Sequence, residues 1–227
     1  MNQIFSKYSL EARIYPTIIG MIPFYLLQYI YFSNFIFSEL FSAKIITNIS
    51  SSLVALYFVS EFFVRFPSKL FEDKLFNKKI GFPTTEFLLF SNHEYTKSFK
   101  EKIRTKIKKD FSIILFEEKE ELENEEEARM RIKEAIGLII GLVRGGYMVL
   151  KHNISYGFFR NLWGASLIGA ISSVVLFFLS LKNSYWVPVV AFLLFIFYIL
   201  YLTFGKYIIK YFGANYARKL IEEYLKS

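Results

Sequence analysis

Three stretches of this 227-residue chain run without a charged side chain for long enough to reach across a lipid bilayer. A spanning helix needs about 20 mostly apolar residues to cross about 30 Å of hydrocarbon. No charge interrupts Ile14 to Ser38, whose part 17–37 is mostly Ile, Leu, Phe and Tyr, nor Asn161 to Leu181, nor Asn183 to Gly205. A fourth candidate, Ile45 to Ser60, is shorter and contains Thr47, Asn48, Ser50, Ser51 and Ser52. It reaches spanning length only if Phe62, Phe63 and Val64 carry it past Glu61. The chain is 54% hydrophobic and 21% charged. Soluble domains average about 45–50% and about 25%, so the balance leans towards lipid. An aromatic share of 20% excludes a disordered chain, and the lack of cysteine excludes a disulfide scaffold.

These stretches predict an all-α integral membrane protein with four transmembrane helices in two pairs and a helical cytoplasmic insert. Residues 1–65 hold an N-terminal helix and the first pair, 66–160 the insert, 161–205 the second pair, and 206–227 an amphipathic C-terminal helix. The first stretch is too long for the apolar core of a signal peptide and has no clear small-residue cleavage site. Short loops, about 38–45 and 182–185, close each pair. Arg65 to Arg160 contains 19 of the 28 Lys and Arg residues, and Lys206 to Ser227 five more. With four spans these fall on one side together with Lys7 and Arg13. Positive charge stays inside, so both termini and the insert are expected in the cytoplasm.

Within the insert, Pro83-Thr84-Thr85-Glu86 reads as a helix start. Ser98 and Glu101 have capping-box spacing, and Phe99, Ile103 and Ile107 repeat every fourth residue as one apolar stripe. Lys97, Lys100, Lys102, Arg104, Lys106, Lys108 and Lys109 surround that stripe against Glu101 alone. An acidic run follows from Glu117 to Glu127, and a helix is predicted over 125–150, about 39 Å long. Along it Gly137, Gly141 and Gly145 form a row of the kind that marks close helix approach, within the subunit or between subunits. His152 to Gly164 is read as the join to the third span. Ile209, Phe212, Tyr216, Leu220 and Tyr224 make the tail's apolar stripe, suited either to the membrane surface or to packing on the central helices.

Each charged or polar cluster has more than one reading. The basic helix fits a solvated face paired with the glutamates, a contact with anionic lipid, or a binding surface for a polyanion such as nucleic acid. In the second span, Asn48, Ser51 and Ser52 either bond back to their own helix or line a water-filled path. Glu61 and Arg65, four apart, form an intrahelical pair or a charged ring in an oligomer. Those five residues are the candidate pore lining. Nothing in the sequence argues for an enzyme: His93 and His152 are the only histidines, and no nucleotide-binding loop or nucleophile elbow occurs. No cofactor or metal is expected.

The Pro83-Thr84-Thr85 start, the basic helix, the acidic run and Asn153 to Gly164 leading into a span occur together. With two helices, a helical insert and two more helices, the chain resembles the four-transmembrane pore-forming effectors of bacterial anti-phage defence. Within that group it is most similar to the Hailong DNA-gated ion channels. The resemblance covers the layout of the whole chain, and its specific support is about 40 residues.

That resemblance implies a homo-oligomer, a tetramer, in the bacterial inner membrane. It implies a ligand-gated ion channel held closed by single-stranded oligodeoxyadenylate, which a partner nucleotidyltransferase makes, and depolarisation when the ligand is lost. Richness in Phe, Tyr, Lys and Ile also fits a bacterial source. Arg104, Lys108, Arg144, Lys151 and Arg160 are chosen from charge position as phosphate contacts, ahead of Lys97 and Lys100. A non-channel membrane scaffold that recruits a cytoplasmic partner through the charged helices is the alternative.

Overall fold

The computed structural model describes residues 6–39, 56–77, 81–182 and 185–227, with side chains throughout these except 31–39. The described residues contain helices and turns but no strand. In chain order the helices are α1 (Lys7–Ser9), α2 (Tyr15–Gly20), α3 (Ile22–Glu39), α4 (Phe66–Leu75), α5 (Pro83–Glu86), α6 (Lys97–Phe111), α7 (Glu118–Glu123), α8 (Glu125–Val143), α9 (Tyr147–Ser180) and α10 (Trp186–Lys226). Two π-helical turns, Leu10–Ile14 and Ser60–Arg65, precede α2 and α4. Asn48, Ser51 and Ser52 lie outside the described residues, as does most of the second expected span.

Two compact units result: Met1–Lys74 with Gly157–Ile209, and Leu75–Tyr156 with Lys210–Ser227. Helices α9 and α10 each contribute residues to both. The second unit's first segment, Leu75–Tyr156, lies within the expected insert, 66–160. The tail from Lys210 joins the second unit instead of standing alone.

In the first unit each π turn is followed within two residues by a proline, Pro16 or Pro67. A prolyl nitrogen carries no hydrogen, so the carbonyl four residues back loses its helical donor and the local ladder must rearrange. For Pro16 that carbonyl is Ala12, and Asn161 supplies the missing donor at 2.6 Å. Other polar groups in apolar surroundings also bond to main chain. Trp163 Nε1 donates to the Leu202 carbonyl at 2.9 Å and the Tyr198 hydroxyl to that of Ile19 at 2.6 Å. Ser166 and Ser173 bond back one turn to Leu162 and Gly169, both at 2.7 Å. Gly164 is required by contact: a Cβ there would strike Ser68 Oγ and the Val64 carbonyl.

Helices α9 and α10 are long and apolar enough to cross a membrane. Only 11% of the apolar stretch of α10 is buried, and Phe192, Leu193, Ile196, Phe197 and Leu200 all lie exposed. A continuous exposed apolar face of that kind is what lipid, rather than water, would solvate. The first expected span, 17–37, falls on α2 and α3, which meet at a turn at Met21.

The second unit is built on amphipathic stripes. In α6, Ile103 and Ile107 are buried as their spacing predicts, with Lys100 on the same buried face. Its N-cap is Thr96, whose hydroxyl accepts from Phe99 N, and not the expected Ser98. It ends at Ser112, in the left-handed conformation at φ 57°, with the Ser112 amide donating to the Lys108 carbonyl. Glu117 and Glu120 form a capping box for α7, and the Asn124 side chain caps α8.

The helix expected over 125–150 stops at Val143. Gly145 and Gly146 stand in the turn, where the Gly146 amide bonds to the Val143 carbonyl at 2.9 Å, and α9 starts afresh at Tyr147. A Cβ at Gly146 would crowd that carbonyl and Glu223. His152 to Gly164, read as a join, lies inside α9. The tail's stripe packs inward: Tyr216, Leu220 and Tyr224 are buried. Tyr216 stacks on Tyr156 and Tyr224 on Phe111, and the Tyr224 hydroxyl donates to Asp110 at 3.0 Å.

Candidate functional site

In the second unit, two of the basic helix's cations turn inward. Lys100 is only 2% exposed, and its ammonium donates to the carbonyls of Leu89, Phe90 and Asn92. An ammonium has three donors, so all of them are used. Arg104 donates to the carbonyls of Leu88 and Phe116, and at 2.7 Å to Glu121. The buried Glu121 also accepts from the Phe90 amide at 2.5 Å. Burial pulls the Lys100 ammonium and the Arg104 guanidinium below their ordinary pKa values. This clip holds the segment between α5 and α6, which has few backbone partners of its own. Both residues differ from the expected phosphate-contacting role: the Lys100 ammonium and both terminal nitrogens of Arg104 are engaged inside the fold, and Arg104 Nε is buried.

A cleft of about 440 Å³ lies beside the clip, lined by His93, Tyr95, Thr96, Lys97 and Glu118 among others. Lys97 pairs with Glu118 at 2.6 Å, so the cleft offers no uncompensated cation beside Lys100. Burial, then the nearby Glu222 and Glu94, pushes the Tyr95 hydroxyl up to about 12. Arg218 pairs with Glu94 at 2.5 Å and ties the tail to the same segment.

Of the seven expected phosphate contacts, Lys108, Arg144 and Lys151 are exposed and make no ion pair among the described residues. Lys102 and Lys109 share that condition. All five belong to the second unit. Arg160 belongs to the first, where it pairs with Glu72 at 3.3 Å.

In the first unit, Glu61 is the centre of a charge cluster. Arg13 reaches it at 2.9 Å from one π turn, and Arg65 bonds to it from within the other. The intrahelical reading of Glu61 and Arg65 is therefore realised, with Arg13 as a third member. Sequence reasoning missed Arg13, Asn161 and Glu121. Only the placement of Pro16 hinted at a carbonyl in need of a donor near the first of these.

The Gly137, Gly141 and Gly145 row meets nothing: a Cβ at each would have open space within 4 Å. Met130, Leu138 and Leu142 are exposed beside it. The molecule is thus an all-helical protein with two helices able to cross a membrane and a unit of charged amphipathic helices. Comparison with protein-family models, curated proteins and solved structures found no match to this chain.

Proposed function

We propose that the chain is an oligomeric membrane effector of bacterial anti-phage defence that forms a ligand-gated ion channel. Four helices cross the inner membrane in two pairs, with both termini and the charged unit in the cytoplasm. A single-stranded oligonucleotide of the oligodeoxyadenylate kind, made by a partner nucleotidyltransferase, binds the cytoplasmic cations and holds the pore shut. Its release opens the pore and depolarises the cell.

The observation that carries this reading is continuity. Helices α9 and α10 each run unbroken from the charged unit through an apolar segment of spanning length. A ligand that biases the charged unit thereby shifts an equilibrium between closed and open states. Driving such an equilibrium from 99:1 to 1:99 requires about 5.5 kcal/mol of differential binding. Lys108 and Lys151, repeated in every subunit, offer a cation field that grows with oligomer size. Glu61 and Arg65 belong to the inner end of the expected second span, and Arg13 pairs with Glu61, so rearrangement of an ion pair can couple to opening.

The test is planar-bilayer conductance of the purified protein, with and without short oligodeoxyadenylate on the side of the charged unit. Current that the oligonucleotide suppresses, and high salt restores, supports the reading. Current indifferent to it removes the ligand, and absence of current from assembled protein favours a scaffold. The open face of α8 is the feature a scaffold would use.

A further inference from the structure

The second half of α8 is apolar on every side. Ala135, Ile136, Ile139 and Val143 are buried in the second unit, yet Leu138 and Leu142 remain 48% and 56% exposed. A helix apolar all round is normally covered all round. The uncovered face has an ordered layout: Glu134, Gly137, Gly141 and Arg144 lie within an arc of about 80° at 3.6 residues per turn. Their spacing is palindromic about residue 139, reading Glu134-x2-Gly137-x3-Gly141-x2-Arg144 from either end. Glu134 and Arg144 are exposed and make no ion pair among the described residues, and Gly137 and Gly141 have open space where a Cβ would stand.

We infer that this face of α8 is a two-fold interface with α8 of a second copy of the chain, the helices running antiparallel and crossing near residue 139. This deepens the channel reading and rests on it for the presence of a second copy in the membrane. In the antiparallel register Gly137 opposes the second copy's Gly141, so the two backbones approach without side chains between them. Glu134 then opposes Arg144 at both ends, and two-fold symmetry forms the ion pair twice. A parallel two-fold pair would set Glu134 against Glu134 and Arg144 against Arg144, which like-charge repulsion opposes. Lipid or an unrelated protein would draw no benefit from the palindrome. The contact makes pairs of charged units, and it places Arg144 at the interface instead of in a phosphate site.

The chain has no cysteine, so introduced thiols can link only to each other. A disulfide needs Cα atoms within about 7 Å. Residues 134 and 144 of one helix are about 15 Å apart and cannot bridge within a subunit. In native membranes, the doubly substituted Glu134→Cys/Arg144→Cys chain is expected to oxidise to covalent dimers, while each single variant stays monomeric on denaturing gels. Linking by the single variants would overturn the antiparallel register. Absence of linking in the double variant would overturn the interface. As a check that introduces no thiol, the dimer yield with an amine-reactive crosslinker should fall severalfold for Glu134→Arg and be restored by adding Arg144→Glu as well. An oligonucleotide-sensitive current from protein that never links would remove this interface and leave the channel. Linked dimers that carry no current would do the reverse.

Discussion

The side-chain amide of Asn161 donates to the main-chain carbonyl of Ala12 at 2.6 Å, joining residues 149 positions apart. Both residues are almost wholly buried. The bond repairs the gap that Pro16 leaves in its own helix, so a local defect becomes a tether between the N-terminal helix and α9. A buried carbonyl stripped of its donor costs about 1–3 kcal/mol. Asn161→Leu should therefore lower the thermal unfolding midpoint of the full chain in detergent by an amount corresponding to that loss. Asn161→Asp should cost more, because a carboxylate would face the carbonyl. An unchanged midpoint for both would show that the tether contributes nothing.

Glu61 holds two arginines, one from each π turn. It is partly shielded, so the pairs are worth more than open surface pairs and less than fully buried ones, about 1–2 kcal/mol. Glu61→Gln is expected to lower stability by about that much. In a double-mutant cycle with Arg13→Ala, the two changes should fall short of adding by about 1 kcal/mol, since they remove one shared interaction. Additive losses would separate Arg13 from Glu61 energetically.

Much of the fold is legible in the sequence, and the exceptions have physical causes. The stripes Ile103/Ile107 and Tyr216/Leu220/Tyr224 are visible because helical spacing alone decides which side of α6 and α10 is apolar, and both are buried. The end of α8 is written in Gly145-Gly146, yet the apolar residues on both sides disguise it as a continuous helix. The cap of α6 falls at Thr96 and not Ser98 because both spacings fit, and only the path of the preceding chain chooses. Lys100 and Arg104 look like members of a charged surface. Their burial depends on a segment between α5 and α6 whose carbonyls converge on them, and no residue pattern announces that convergence. The tail's attachment to the second unit, through Arg218 with Glu94 and Tyr224 with Asp110, involves partners more than 100 positions apart.

Cations of one helix should separate by role. Lys108 is exposed without an ion pair among the described residues, whereas Arg104 is bound to Glu121 and two carbonyls. Lys108→Glu should leave the stability within about 0.5 kcal/mol of the parent, as surface changes do. It should weaken binding of labelled oligodeoxyadenylate and flatten the salt dependence by about 0.7 in the log–log slope for each phosphate that Lys108 had neutralised. Arg104→Met should do the opposite, destabilising by about 3 kcal/mol by leaving Glu121 as an unpaired buried carboxylate. Fluorescence anisotropy at several salt concentrations, with parallel melts, separates the two. Equal weakening of binding at unchanged stability would return Arg104 to the ligand surface.

Two glycines in helices should respond to alanine with opposite signs. At Gly164 a Cβ would run into Ser68 and the Val64 carbonyl, so Gly164→Ala must push α9 away from α4 and the π turn before it. Overpacking of that kind costs about 1–3 kcal/mol. At Gly141 the space is open, and glycine itself costs about 1 kcal/mol relative to alanine in a helix. Gly141→Ala should therefore raise the stability of the detergent-solubilised subunit by up to about 1 kcal/mol. If Gly141 faces a second copy of the chain, the same methyl enters a backbone contact, and subunit association should weaken while the subunit grows more stable. Melting measured beside crosslinking yield reads both effects. A stabilised subunit with unaltered association would mean that the glycine row faces no neighbour.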